Sequence, residues 1–145
     1  MNEEKKIIYG LDEIETVVDS LISVMGQCQI FTFTGSLGAG KTTLIRAILR
    51  KCGVAEGVIT SPTFTYLNLY ENQRGQTFYH FDLYRIEKLE EFLAAGFNEY
   101  LYVPNSWVFI EWPEPILSLL KKNVCHCSIE YQGENKREIT CSVIE

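Results

Sequence analysis

The sequence predicts an α/β domain with a mixed, largely parallel central sheet, flanked by helices and carrying an antiparallel hairpin. Three observations predict it. Gln29 to Thr34 is a β-branched and aromatic run; a glycine-rich loop follows, and then apolar pairs four apart, Leu44 with Ile48 and Ile45 with Leu49, which is helix spacing. Trp107-Val108-Phe109-Ile110 is a continuous apolar run that stops at Glu111, as a parallel strand buried on both faces does. Short alternating runs also flank two polar turns, at 71–76 and 132–136, the pattern of hairpins. With 145 residues and 46% hydrophobic content, the chain is long enough for one sizeable core, and a single domain over residues 1–145 is expected.

In chain order, apolar residues at 11, 14, 17, 18, 21, 22 and 25 form a helical stripe with Gly26 as its stop. The strand, loop and helix of 29–51 come next, closed by Cys52-Gly53, and 55–60 reads as a connector. Ser61 to Tyr70 alternates in its second half and pairs with Thr77 to Asp82 as a hairpin. Ile86 to Ala95 predicts a short helix capped by Gly96, and 98–102 a further helical turn. After the strand ending at Glu111, Pro113 and Pro115 open a helix through Leu120. Val124 to Tyr131 and Arg137 to Ile144 close the chain as a hairpin.

The loop is Gly35-Ser36-Leu37-Gly38-Ala39-Gly40-Lys41-Thr42, a complete G-x-x-x-x-G-K-[ST] phosphate loop between a strand and a helix. Its glycines allow positive φ and bring bare backbone near a ligand, so that the amides of Gly35, Leu37, Gly38, Ala39, Gly40, Lys41, Thr42 and Thr43 can cradle phosphate at a helix mouth. Lys41 adds a charge that reaches the β/γ bridge, and the Thr42 hydroxyl is placed to ligate Mg²⁺. The reading is a P-loop NTPase-like domain that binds ATP with Mg²⁺; a chance glycine-rich turn does not supply all four fixed positions in this context.

Such a loop needs an acid at a strand end to orient Mg²⁺. Glu111 and Asp82 are the candidates, with Glu111 the first choice and Asp82 able to serve metal or attacking water. Two carboxylates beside a triphosphate repel it by about 4 kcal/mol per close pair at an effective dielectric near 20, so they converge only around a cation. Either acid could instead cap a helix or sit on the surface. Thr63, in the Ser-Pro-Thr turn, is a candidate catalytic switch residue against a plain turn. Arg85 is a candidate phosphate or partner contact, His80 reads as a satisfied strand histidine, and Trp112 walls the site or packs the core. Leu11 and Arg137 are candidate walls for the base.

A formal charge of -6 with scattered Lys and Arg excludes a broad nucleic-acid-binding face. No apolar run spans a bilayer and no signal-peptide core follows the N-terminus, so a cytoplasmic protein is expected. The five cysteines, Cys28, Cys52, Cys125, Cys127 and Cys141, read as small buried hydrophobes in a reducing compartment. In Cys125-His126-Cys127, alternation turns the cysteines to one face and the histidine to the other, and no second ligand pair stands at zinc-site spacing.

Together, Gly-Ser-Leu-Gly-Ala-Gly-Lys-Thr-Thr at 35–43, Ser-Pro-Thr-Phe-Thr at 61–65, His-Phe-Asp-Leu-Tyr-Arg at 80–85, Gly-Phe-Asn-Glu-Tyr-Leu at 96–101 and Ile-Glu-Trp-Pro-Glu at 110–114 resemble the TsaE family of bacterial tRNA threonylcarbamoyladenosine ATPases. The motifs span about half of the chain in the family's order. The resemblance implies an ATPase that works with two partners, the threonylcarbamoyl transferase and its dimerising companion, and whose hydrolysis resets that complex rather than modifying tRNA. It implies that Lys41 and the loop hold phosphate, that Thr42 and Glu111 hold Mg²⁺, that Asp82 supports hydrolysis and that Thr63 lies in a switch-like loop. One departure is Ser36, where the family usually has Asp.

Rival readings are weaker. Asn135-Lys136-Arg137-Glu138 imitates a guanine-reading Asn-Lys-x-Asp, but its fourth residue is Glu and it sits in a polar turn. A small-molecule kinase needs an arginine-bearing lid, and no inserted segment is visible. A nucleotide-gated binding module with incidental turnover shares every feature of the loop and differs only in hydrolysis.

Overall fold

The computed structural model describes residues 3–59 and 66–145. Thr63 and the 61–65 motif lie outside the described residues. Seven strands form one sheet: β1 (Glu3–Tyr9), β2 (Ile30–Thr34), β3 (Leu67–Glu71), β4 (Thr77–Asp82), β5 (Ser106–Glu111), β6 (Val124–Tyr131) and β7 (Arg137–Ile144), in spatial order β1-β7-β6-β2-β5-β4-β3. The middle of the sheet, β6-β2-β5-β4, is parallel, and the pairings of β1, β7 and β3 outside it are antiparallel.

Side-chain alternation in β2 and β5 sends successive residues to opposite faces. Phe31, Phe33 and Phe109 pack against α1 (Ile14–Ile22) and α2 (Lys41–Lys51) through Val17, Val18, Leu21, Leu44, Ile45 and Ile48. Ile30, Val108 and Ile110 face the other way, onto Phe81, Phe92 of α3 (Leu89–Ala94), Ile116 and Leu120. Phe81, Phe92 and Phe97 meet with ring centroids 5.4 to 5.6 Å apart, which anchors the short α3 to the sheet.

Four local expectations change. The stripe over 11–25 divides into a 3₁₀ turn at Leu11–Glu13, α1, and a tight exit in which Val24 and Met25 donate to the carbonyls of Leu21 and Ile22. The segment after Pro113 is a 3₁₀ helix, Glu114–Leu119, because Pro115 lacks an amide and the next donors reach back only three residues, Ile116 to Pro113. Helix α3 is shorter than 86–95, since Ile86 donates to Leu83 in a preceding turn. The strand β1 was not expected at all. It is an edge strand with Glu4, Lys5, Lys6 and Ile8 turned to varied degrees toward solvent, so its charges mask the alternation.

Candidate functional site

The parallel pairing puts the carboxyl ends of β2, β4 and β5 side by side, with Phe33 opposite Glu111 and Asp82 opposite Glu111. The loop after β2 rises over these ends and turns into α2. Gly35, Gly38 and Gly40 all have positive φ, at 142°, 81° and 104°. Gly35 is also a close approach, because a Cβ there would press into the carbonyl oxygen of Ile129. Gly40 caps α2 without a side-chain hydrogen bond, which leaves the first-turn amides directed at the space above the helix.

Lys41 is only 4% exposed, and its ammonium folds back to donate to the carbonyls of Gly35 (2.7 Å) and Ser36 (2.9 Å). It lies 4.1 Å from the centroid of the Trp112 ring. Burial pulls its pKa below the ordinary lysine value, opposed by the charges of Glu111, Glu114 and Asp82. A cation desolvated in this way is poised to bind an anion.

Beneath it runs a chain of hydrogen bonds. The Thr42 hydroxyl donates to Glu111 Oε1 at 2.7 Å, and His80 Nε2 stands 2.7 Å from Oε2 of the same carboxylate. A carboxylate only accepts, so Nε2 carries the hydrogen. His80 is fully buried and Glu111 is 3% exposed. His80 Nδ1 is buried with no hydrogen-bond partner among the described residues. Asp82 is also buried, and its Oδ1 accepts from the Tyr84 amide at 3.1 Å.

A cleft of about 380 Å³ opens on this arrangement, walled by Leu37, Gly38, Gly40, Lys41, Thr42, Thr43, Asp82, Tyr84, Arg85, Glu111 and Trp112. Gly35 lies beneath the loop as an acceptor for Lys41, and Ala39 is buried in the core. Arg137 stands on the outer side, where Nε donates to the Ala39 carbonyl (3.2 Å) and the guanidinium stacks on Tyr131 at 4.2 Å. Tyr131 in turn donates to the Gly38 carbonyl at 2.8 Å. The β6–β7 hairpin therefore braces the loop.

Sequence reasoning passed over Tyr84 and Tyr131. Tyr84 follows Asp82 by two residues and packs on Trp112 with centroids 4.9 Å apart. Trp112 holds a φ of 58°, a left-handed conformation that turns its ring over Lys41. Lys136, in the guanine-like motif, donates instead to Glu13 at 2.7 Å, and neither it nor Asn135 lines the cleft. Among the described residues no helix is long and apolar enough to cross a membrane.

A protein-family model described as "Threonylcarbamoyl adenosine biosynthesis protein TsaE" matches residues 9–139. The "tRNA threonylcarbamoyladenosine biosynthesis protein TsaE" of Rickettsia felis is 36% identical over 139 residues, 95% of this chain and 78% of that one. The protein of the same description from Treponema pallidum is 36% identical over 86% of this chain and 87% of its own. Among solved structures, Bacillus subtilis YdiB superposes with a TM-score of 0.71 at 25% identity, covering 100% of this chain and 88% of its own.

Proposed function

The chain belongs to the TsaE family of threonylcarbamoyladenosine biosynthesis proteins, and from that premise we propose that it is a Mg²⁺-dependent ATPase serving this tRNA modification through a partner transferase complex. The observation that carries the proposal is the meeting of Lys41, Thr42 and Glu111 at the mouth of α2. Thr42 and Glu111 already share a 2.7 Å hydrogen bond with Asp82 alongside, a set of hard oxygen donors that fits Mg²⁺.

In this reading the loop amides and α2 dipole bind the phosphates of ATP. Lys41 exchanges its two carbonyl partners for phosphate oxygens. Thr42, Glu111 and Asp82 would hold Mg²⁺, which supplies neutralisation of charge on the β- and γ-phosphates. Asp82 positions the attacking water, and Trp112 with Tyr84 keeps bulk water from the reacting end. Thr63 senses the γ-phosphate, and Leu11, 71% exposed, and Arg137 border the base. The partners are the threonylcarbamoyl transferase and its dimerising companion.

Phosphate release by the chain with Mg-ATP, alone and with both partners, tests this. Slow release alone and stimulation by the partners are expected, because the loop itself carries no arginine to meet the transferring phosphoryl group. No release in either case, with binding intact, would instead favour a nucleotide-gated module. Lys41→Ala should fold, yet lose the stabilisation of about 2.7 kcal/mol that a ligand at a hundred times its Kd confers. A retained thermal shift would overturn the phosphate-loop assignment.

A further inference from the structure

The cysteines belong to none of this machinery. Alternation does turn Cys125 and Cys127 to one face of β6 and His126 to the other, where its Nδ1 meets the Thr32 hydroxyl at 2.7 Å. What spacing along one strand does not reveal is Cys141. It stands directly opposite Cys127 on β7, and cross-strand partners project to the same face. The Sγ atoms of Cys125 and Cys127 are 3.8 Å apart, those of Cys127 and Cys141 3.6 Å, and all three lie within 4.8 Å of one another.

Those separations match a metal site. With metal–sulfur bonds near 2.3 Å, ligand sulfurs stand about 3.8 to 4.0 Å apart in tetrahedral or trigonal geometry. Two of the three separations already fit, and the third, within 4.8 Å, asks for closure by less than about 1 Å between two strands already in register. An entry path exists too: Cys125 and Cys141 border a cavity of about 450 Å³ between β1, β7 and α1, together with Lys5, Ser20 and Val24. Lys5 sits opposite Cys141 in the sheet and donates to Ser20 at 3.1 Å, leaving the cavity roofed but not filled.

We propose that Cys125, Cys127 and Cys141 bind a single thiophilic d¹⁰ cation of the Cu(I) class, held by three thiolates and reached through the cavity beside α1. Three sulfurs satisfy a soft monovalent ion, whereas structural zinc takes four ligands. Among the described residues the converging group contains only these three. The electrostatics support it. Hydrogen bonding with Cys125 and Cys127, with Lys5 nearby, pulls the Cys141 thiol below the ordinary cysteine value, while contact with Cys125 and Cys141 together with burial pushes Cys127 up. Binding releases the thiol protons to solvent as the metal–sulfur bonds form, with no change of oxidation state.

Anaerobic titration of the full, reduced chain with Cu(I), in competition with a chromogenic chelator, tests the site. One equivalent should be retained, with a thiolate-to-copper charge-transfer band. Cys141→Ser, at a half-buried position, should lower affinity at least tenfold, whereas Cys52→Ser, whose sulfur meets Met25 instead, should not. On the unaltered chain, one equivalent of Cu(I) should block iodoacetamide labelling of Cys141, read by mass spectrometry. Loss of all copper to the chelator, equal retention by Cys141→Ser, or unprotected Cys141 would each overturn the site and reduce the three thiols to packing. None of these outcomes touches the ATPase reading, since no cysteine lines the nucleotide cleft.

Discussion

At the scale of single residues, the buried polar groups of the cleft hold one another in place. Lys41 is held by two loop carbonyls, and Glu111 divides its oxygens between a hydroxyl and an imidazole. His80 does not reach the cleft; it fixes the orientation of Glu111 from below. His80→Leu preserves bulk but strands a buried carboxylate oxygen, which costs about 1–3 kcal/mol. Chemical denaturation should show that loss, and the stabilisation by Mg-ATP should fall more than that by ATP in chelator. An equal fall in both would mean that His80 serves only packing. The principal side chains here were legible: the G-x-x-x-x-G-K-[ST] spacing names Lys41 and Thr42, and an acid ending an apolar run names Glu111. Tyr84 and Tyr131 were not, since an exposed aromatic at a strand end is ordinary until its partner is seen. His80 reads as a satisfied strand residue, but only half of it is: Nε2 meets Glu111, 31 residues away on the neighbouring strand, while the buried Nδ1 has no partner among the described residues.

At the scale of elements, the phosphate loop is shaped by its neighbours as much as by its own glycines. Gly35 combines a φ of 142° with contact against the Ile129 backbone, so Gly35→Ala meets both conformational strain and a backbone obstacle that cannot rotate away. A loss of about 2–4 kcal/mol is expected. Thermal unfolding should fall by several degrees, while Gly57→Ala, with open space around it, should change little. A silent Gly35→Ala would mean that the loop is free of β6. The element order was legible wherever a strand is buried on both faces, as in β2 and β5. It failed where tertiary pairing overrides local composition, as in the charged edge strand β1, and where a proline limits the backbone bonding, as at Glu114–Leu119.

At the scale of the molecule, the seven-stranded sheet is graded from centre to rim. β2 is hydrogen-bonded on both sides by parallel neighbours and sandwiched between helices on one face and the aromatic cluster on the other, whereas β1 and β3 each have one neighbour. Amide hydrogen exchange should therefore be slowest in β2 and β5 and fastest in β1 and β3. Protection of β1 equal to that of β2 would contradict its place at the edge. The α/β class and the parallel centre followed from the run ending at Glu111 and the strand–loop–helix unit. The spatial order did not, because nothing local says that β7 carries β1 on its outer side. Two long-range ties have a temporal consequence. The lashings of the loop, Tyr131 to Gly38 and Arg137 to Ala39, span 93 and 98 residues, so a ribosome finishes the glycines long before it makes the side chains that brace them. A nascent chain thus carries the whole G-x-x-x-x-G-K-[ST] signature while its loop is still unbraced, and the loop reaches its final support only with the closing hairpin.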